Sequence, residues 1–85
     1  MATNLVMPQA GQDLEVGLVR QWYKQVGDPV RKGEPIVLIE TEKISLDVEA
    51  PVDGVLRKIL VDEGNEAPIF GVIGIIGSAD EAIPE

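Results

Sequence analysis

The sequence predicts an all-β domain of two similar layers, on three observations. Turn signals recur at short intervals, at Gly11, Gly27-Asp28-Pro29, Lys32-Gly33-Glu34, Pro51 to Gly54 and Glu63-Gly64-Asn65, the punctuation of a small sandwich or barrel. The segments between them are short and rich in apolar and β-branched residues, as strands are. A shift of 37 residues lays Gly17, Arg20, Gly27 and Ile36 onto Gly54, Arg57, Gly64 and Ile73. The neighbours agree: Leu18 and Val19 fall on Val55 and Leu56, Asp28 on Asn65, and Leu38 with Ile39 on Ile75 with Ile76. Each half reads as an apolar strand, a Gly-Asp or Gly-Asn turn, then a second apolar strand, and two such halves suit a pseudo-symmetric, two-layered domain.

Along the chain, Met1 to Met7 lacks the basic start and long apolar core of a signal peptide, and no apolar run approaches the ~20 residues of a membrane span. In the next segment Val19, Trp22, Tyr23 and Val26 sit at i, i+3, i+4 and i+7, the spacing of an amphipathic helix. Gly17 inside the segment, Gly27 to Pro29 closing it, and the aromatic and β-branched residues between favour a strand instead. Residues 36–49 read as a hairpin with Glu42 and Lys43 as its loop. Thr41 then faces Ile44, Ile39 faces Leu46 and Val37 faces Val48 on one face, while Leu38 meets Asp47 and Ile36 meets Glu49 on the other. Near the end, Phe70 stands where the repeat has Gly33, and Gly71 follows, so the last turn is expected to be shifted by one residue. The tail "SADEAIPE" is small, acidic and proline-ended, which places a domain at residues 1–77 and the start of a flexible linker at 78–85.

The hairpin fixes Lys43 at the extreme end of two strands, where no neighbouring strand covers it. Glu-Lys suits a type I turn better than the primed turns that need positive φ. Neither residue is therefore demanded by the backbone. On residue type alone, a lysine at a loop tip beside glutamates is a solvated charge of little energetic weight.

Composition removes most chemistry. The 85 residues contain no cysteine and no histidine, which excludes thiol nucleophiles, histidine bases, disulfides and the common zinc sets. What remains for chemistry is serine, threonine, lysine and carboxylates, and no metal site is expected. The net charge of -8 disfavours nucleic acid and anionic membrane surfaces as partners.

The stretch "IETEKISLDVEAPVDGVLRKILVDEGNEAP", with "MPQAG" and "VGDPVRKGEPIVLIE" before it and "EAPVDGVL" within it, resembles the lipoyl domain of the dihydrolipoyl acyltransferase components of 2-oxo acid dehydrogenase complexes. The resemblance covers residues 4–76. It implies a flattened barrel of two four-stranded antiparallel sheets with quasi-two-fold symmetry, and it implies that Lys43, matching the tip lysine, carries lipoic acid in amide linkage. Glu40, Thr41, Glu42 and Ile44 match the flanking recognition residues, with Glu42 replacing the usual aspartate. Gly27 and Gly54 match turn glycines around the hairpin, and the loop Gln9 to Leu14 matches one that lies near the tip.

The implied role is a non-catalytic swinging arm. Its implied partners are a lipoate ligase or lipoyl transferase, a thiamine-diphosphate decarboxylase, the acyltransferase core and dihydrolipoamide dehydrogenase. Such a domain is expected to be monomeric when isolated, and to work in a bacterial cytoplasm or a mitochondrial matrix. Glu40, Glu42, Asp47 and Glu49 surround the tip and suit either a recognition surface or an ordinary solvated face. The rival readings are a biotin carrier, whose tip resembles Met-Lys-Met rather than Glu42-Lys43-Ile44, and an unmodified β interaction module. For the latter, Trp22, Tyr23 and Phe70 are the only candidate contacts.

Overall fold

The computed structural model describes residues 2–9 and 14–78; the tail residues 79–85 and the loop residues 10–13, Gly11 among them, lie outside the described residues. Eight strands follow in chain order: β1 (Thr3–Val6), β2 (Val16–Trp22), β3 (Pro29–Val30), β4 (Pro35–Glu40), β5 (Ser45–Glu49), β6 (Gly54–Ile59), β7 (Glu66–Pro68) and β8 (Val72–Gly77). They form two four-stranded antiparallel sheets, ordered β1-β8-β6-β3 and β5-β4-β2-β7. Adding 37 carries β2 onto β6, β3 onto β7 and β4 onto β8, so one sheet order becomes the other with β1 standing for β5.

The core obeys the same relation. Val19 and Leu56, Ile36 and Ile73, and Ile39 and Ile76 are fully buried pairs 37 apart, with Val30 and Ala67 nearly so. The repeat is therefore a repeat of core positions, because each half supplies the same inward side chains to the shared interior.

Bulges recur with it. The ladder skips a residue at Arg20 between β2 and β4, and at Arg57 between β6 and β8. An extra residue reverses the inward and outward alternation. Val19 and Trp22, three apart, thus both pack on the core, which gives a true strand the spacing of a helix.

A second pair of bulges changes one expected contact. Glu49 pairs with Pro35 rather than with Ile36, because the ladder skips Ile36. Ile36 turns inward beside Val37 and is fully buried. The skip recurs at Ile73, between the pairs Leu5–Gly74 and Val6–Val72. The other hairpin pairs stand as expected: Val37–Val48, Leu38–Asp47 and Ile39–Leu46.

The last turn corrects the expected one-residue shift. Phe70 itself takes the left-handed conformation, φ 67°, at the position where Gly33 has φ 88°. The hydrogen bonds match: Gly33 N–H donates to Ala50 C=O at 2.9 Å and Phe70 N–H to Met7 C=O at 2.7 Å, while Glu34 N–H to Arg31 C=O and Gly71 N–H to Pro68 C=O close the two turns. Gly71 does not take over the role, since its φ is not positive; it is needed for space instead, because a Cβ there would lie 2.9 Å from the Pro68 carbonyl oxygen. The backbone needs a glycine at 71 for space and leaves the left-handed position to a phenylalanine.

Candidate functional site at the hairpin tip

β4 and β5 end in the pair Glu40–Ser45, and residues 41–44 close the hairpin. Neither Glu42 nor Lys43 has a positive φ, so the turn is not a primed one. Thr41 holds it. Its N–H donates to Ile44 C=O at 2.7 Å. Its Oγ1 accepts from the Lys43 N–H at 3.3 Å and the Ile44 N–H at 3.1 Å, and donates to Ile44 C=O at 3.1 Å. A hydroxyl has one donor and two acceptor positions, and all three are in use. The tip backbone on both sides of Lys43 is thus tied down by one short side chain.

Lys43 and Glu42 are exposed, and Ile44 is 46% exposed. Among the described residues no ion pair holds the Lys43 ammonium. An exposed primary amine on an anchored turn, with no salt bridge to break, fits amide formation with the carboxyl of a long acid such as lipoic acid. Behind the tip, Tyr23 Oη donates to Asp47 Oδ1 at 2.7 Å, fastening the segment after β2 to β5; that hydrogen bond keeps the phenol pKa above its usual value. Arg20 Nε lies 3.7 Å from Glu40 Oε2 with both side chains largely in solvent, a pair of little energetic weight.

Beside the tip lies an open cleft of about 470 Å³, lined by residues 14–18 of the segment entering β2, by Glu40, Thr41 and Glu42, and by Glu66. Of the expected recognition residues, Glu40, Thr41 and Glu42 line this cleft. Ile44 does not, and Asp47 and Glu49 are exposed on β5, outside it. Glu15 and Glu66 were not singled out by the sequence, since Glu15 reaches the tip only through the pairing of β2 with β4, Leu18 opposite Glu40, and Glu66 only through that of β7 with β2, Glu66 opposite Leu18. Of the loop expected near the tip, Leu14 does line the cleft. Gly27 occupies a left-handed turn, whereas Gly54 opens β6 and is needed for space: a Cβ there would sit 3.0 Å from the Gly77 carbonyl oxygen.

The family model for biotin and lipoyl attachment, described as Biotin-requiring enzyme, matches residues 3–76. The dihydrolipoyllysine-residue acetyltransferase component of the acetoin cleaving system of Bacillus subtilis is 47% identical over all 85 residues, which are 21% of that protein. The corresponding component of the pyruvate dehydrogenase complex of Corynebacterium glutamicum is 40% identical over 95% of the chain and 12% of its own length. The chain thus spans about a fifth or less of these two relatives. The solution structure of the lipoyl domain of the 2-oxoglutarate dehydrogenase complex from Azotobacter vinelandii superposes with a TM-score of 0.73 and 31% identity, over 88% of this chain and 95% of that one. Matched by the family model from β1 into β8 and by a solved lipoyl domain over nearly its whole length, the chain belongs to the biotin/lipoyl family as a lipoyl domain.

Proposed function

We propose that Lys43 is the residue lipoylated in this domain, and that the loaded arm serves the acyltransferase component of a 2-oxo acid dehydrogenase complex. The observation that carries this reading is the exposed lysine, with no ion pair among the described residues, on a turn whose backbone is fixed by Thr41. Lipoyl domains are carriers, and the acyltransferase activity of such proteins lies in a separate domain. When attached, a lipoyl group supplies a disulfide that accepts an acyl group together with two electrons. What this chain supplies is presentation: a rigid two-sheet body, a hairpin continuous with one sheet, and an amine clear of it. Its partners on this reading are an attaching ligase or transferase, a thiamine-dependent decarboxylase, the acyltransferase core and dihydrolipoamide dehydrogenase. The names of the similar proteins support a complex of the acetoin, pyruvate or 2-oxoglutarate type.

Intact mass after incubation with lipoate ligase, lipoate and ATP tests the reading. One lipoyl adduct on the parent chain and none on Lys43→Ala is the expected result, with the variant's unfolding free energy within about 0.5 kcal/mol of the parent, as for an exposed residue outside special sites. An unmodified parent, or a biotin adduct under biotin ligase in place of a lipoyl one, overturns it.

A further inference from the structure

Phe70 is the one described non-glycine residue with positive φ, and at 67% it is also the most exposed large apolar side chain among the described residues. A β-carbon in the left-handed region is strained relative to glycine, and the other half of the molecule avoids that strain with Gly33. Packing does not compensate, because the ring stands outside the core. At the equivalent Gly33 a Cβ would meet nothing within 4 Å, so this turn position aims its side chain into open space. Strain retained at an exposed aromatic, with no structural return, marks a surface kept for contact. Val6 and Val72, paired across β1 and β8, are each 37% exposed beside it.

The register puts Phe70 at the same end of the sheet as Lys43. Val16 pairs with Pro68 and Leu18 with Glu40, and Ile69 N–H donates to Glu15 C=O, so the exit of β7, the entrance of β2 and the exit of β4 lie side by side. β7 stands three strand spacings from β5, about 14 Å, with the cleft bearing Glu15, Glu40, Glu42 and Glu66 between them.

We propose that Phe70 is a docking anchor for the thiamine-dependent decarboxylase that loads the arm, seated in an apolar socket bordered by lysine or arginine side chains. This rests on the function proposed above. The basic border answers the carboxylates that lie between ring and tip. The decarboxylase is favoured over the attaching enzyme by the length of what each must receive. Attachment brings the lysine amine itself into an active site, so that enzyme grips the tip; once the arm is lengthened the tip stays outside, and the receiving enzyme meets the body of the domain.

The test compares the parent, Phe70→Gly and Phe70→Tyr as substrates for lipoate ligase, and then, lipoylated, for the decarboxylases of acetoin, pyruvate and 2-oxoglutarate complexes, with free lipoamide as control. Phe70→Gly is expected to melt no lower than the parent and to be lipoylated at the parent rate. With the enzyme that acylates the parent best, its KM should rise tenfold or more at unchanged kcat, while Phe70→Tyr stays near the parent and free lipoamide reacts alike throughout. Equal KM values for Phe70→Gly and parent overturn the docking role, as does a defect in lipoylation instead, or a lipoylated parent that none of the three enzymes acylates. A parent that ligase leaves unmodified shows, separately, that the reading of Lys43 is wrong.

Discussion

The Thr41 hydroxyl is the smallest group on which presentation of Lys43 rests. It supplies the acceptor for the Lys43 and Ile44 amides that a backbone carbonyl supplies in an ordinary turn. Removing it with Thr41→Val keeps the shape and returns both amides to water. Because the tip is exposed, the stability lost is at the low end for a hydrogen bond, about 0.5 kcal/mol, yet the hairpin end should fray. We expect faster amide exchange at Lys43 and Ile44 and several-fold slower lipoylation, with Thr41→Ser restoring both; unchanged exchange in Thr41→Val would show that the hydroxyl is incidental. The sequence made Lys43 legible, since the alternation on either side of Glu42-Lys43 fixes where the hairpin turns. It left the role of Thr41 hidden, because a hydroxyl caps two amides only in a particular turn geometry that residue types do not announce.

At the scale of elements, the 37-residue repeat made most of the fold legible, including features that looked like noise. The helix-like spacing of Val19 and Trp22 is the trace of the bulge at Arg20, and its echo at Arg57 was present among the matched residues. The bulge at Ile36 was not legible, because an apolar residue inside an apolar strand gives no sign of an extra pairing position. Phe70 misled for a related reason: a glycine next door suggests where the left-handed turn should fall, and only the approach to the Pro68 carbonyl shows that Gly71 is committed elsewhere. The two glycines matched around the hairpin differ in the same way. Gly54→Ala must push β6 from the Gly77 carbonyl, 3.0 Å from the new Cβ, and overpacking of that kind costs about 1–3 kcal/mol. Gly27→Ala meets no atom within 4 Å and pays only for its φ of 99°, about 1 kcal/mol. Urea unfolding of both variants checks the order; equal losses would mean that the β6–β8 contact relaxes freely.

Over the whole molecule the two sheets share one core and act as one carrier body, and the hairpin belongs to it, because β4 is paired to β2 as well as β5 and the Tyr23–Asp47 hydrogen bond fastens the hairpin from behind. The tip therefore travels with the body, and what brings the body to a partner is its field. Fifteen acidic residues face seven basic ones for a net charge of -8, and acylation of Lys43 removes one cation more, giving -8 - 1 = -9. Beside the tip, Glu15, Glu42 and Glu66 line the cleft with no salt bridge to any described residue. Such a field extends about 10 Å at 0.1 M salt and acts on the rate of encounter more than on the chemistry that follows. Raising ionic strength from about 20 to about 200 mM should therefore lower kcat/KM for reductive acylation of the lipoylated domain on the order of tenfold, at constant kcat and with no effect on free lipoamide. The double substitution Glu15→Gln with Glu66→Gln should flatten that dependence, because it removes two charges from the cleft wall while leaving Thr41 and Lys43 untouched. Phe70→Gly, by contrast, should raise KM equally at every salt concentration, since an apolar anchor is not screened. A salt-independent kcat/KM for the parent would mean that the acidic face serves solubility alone, and that recognition lies wholly in short-range contacts at the tip and the ring.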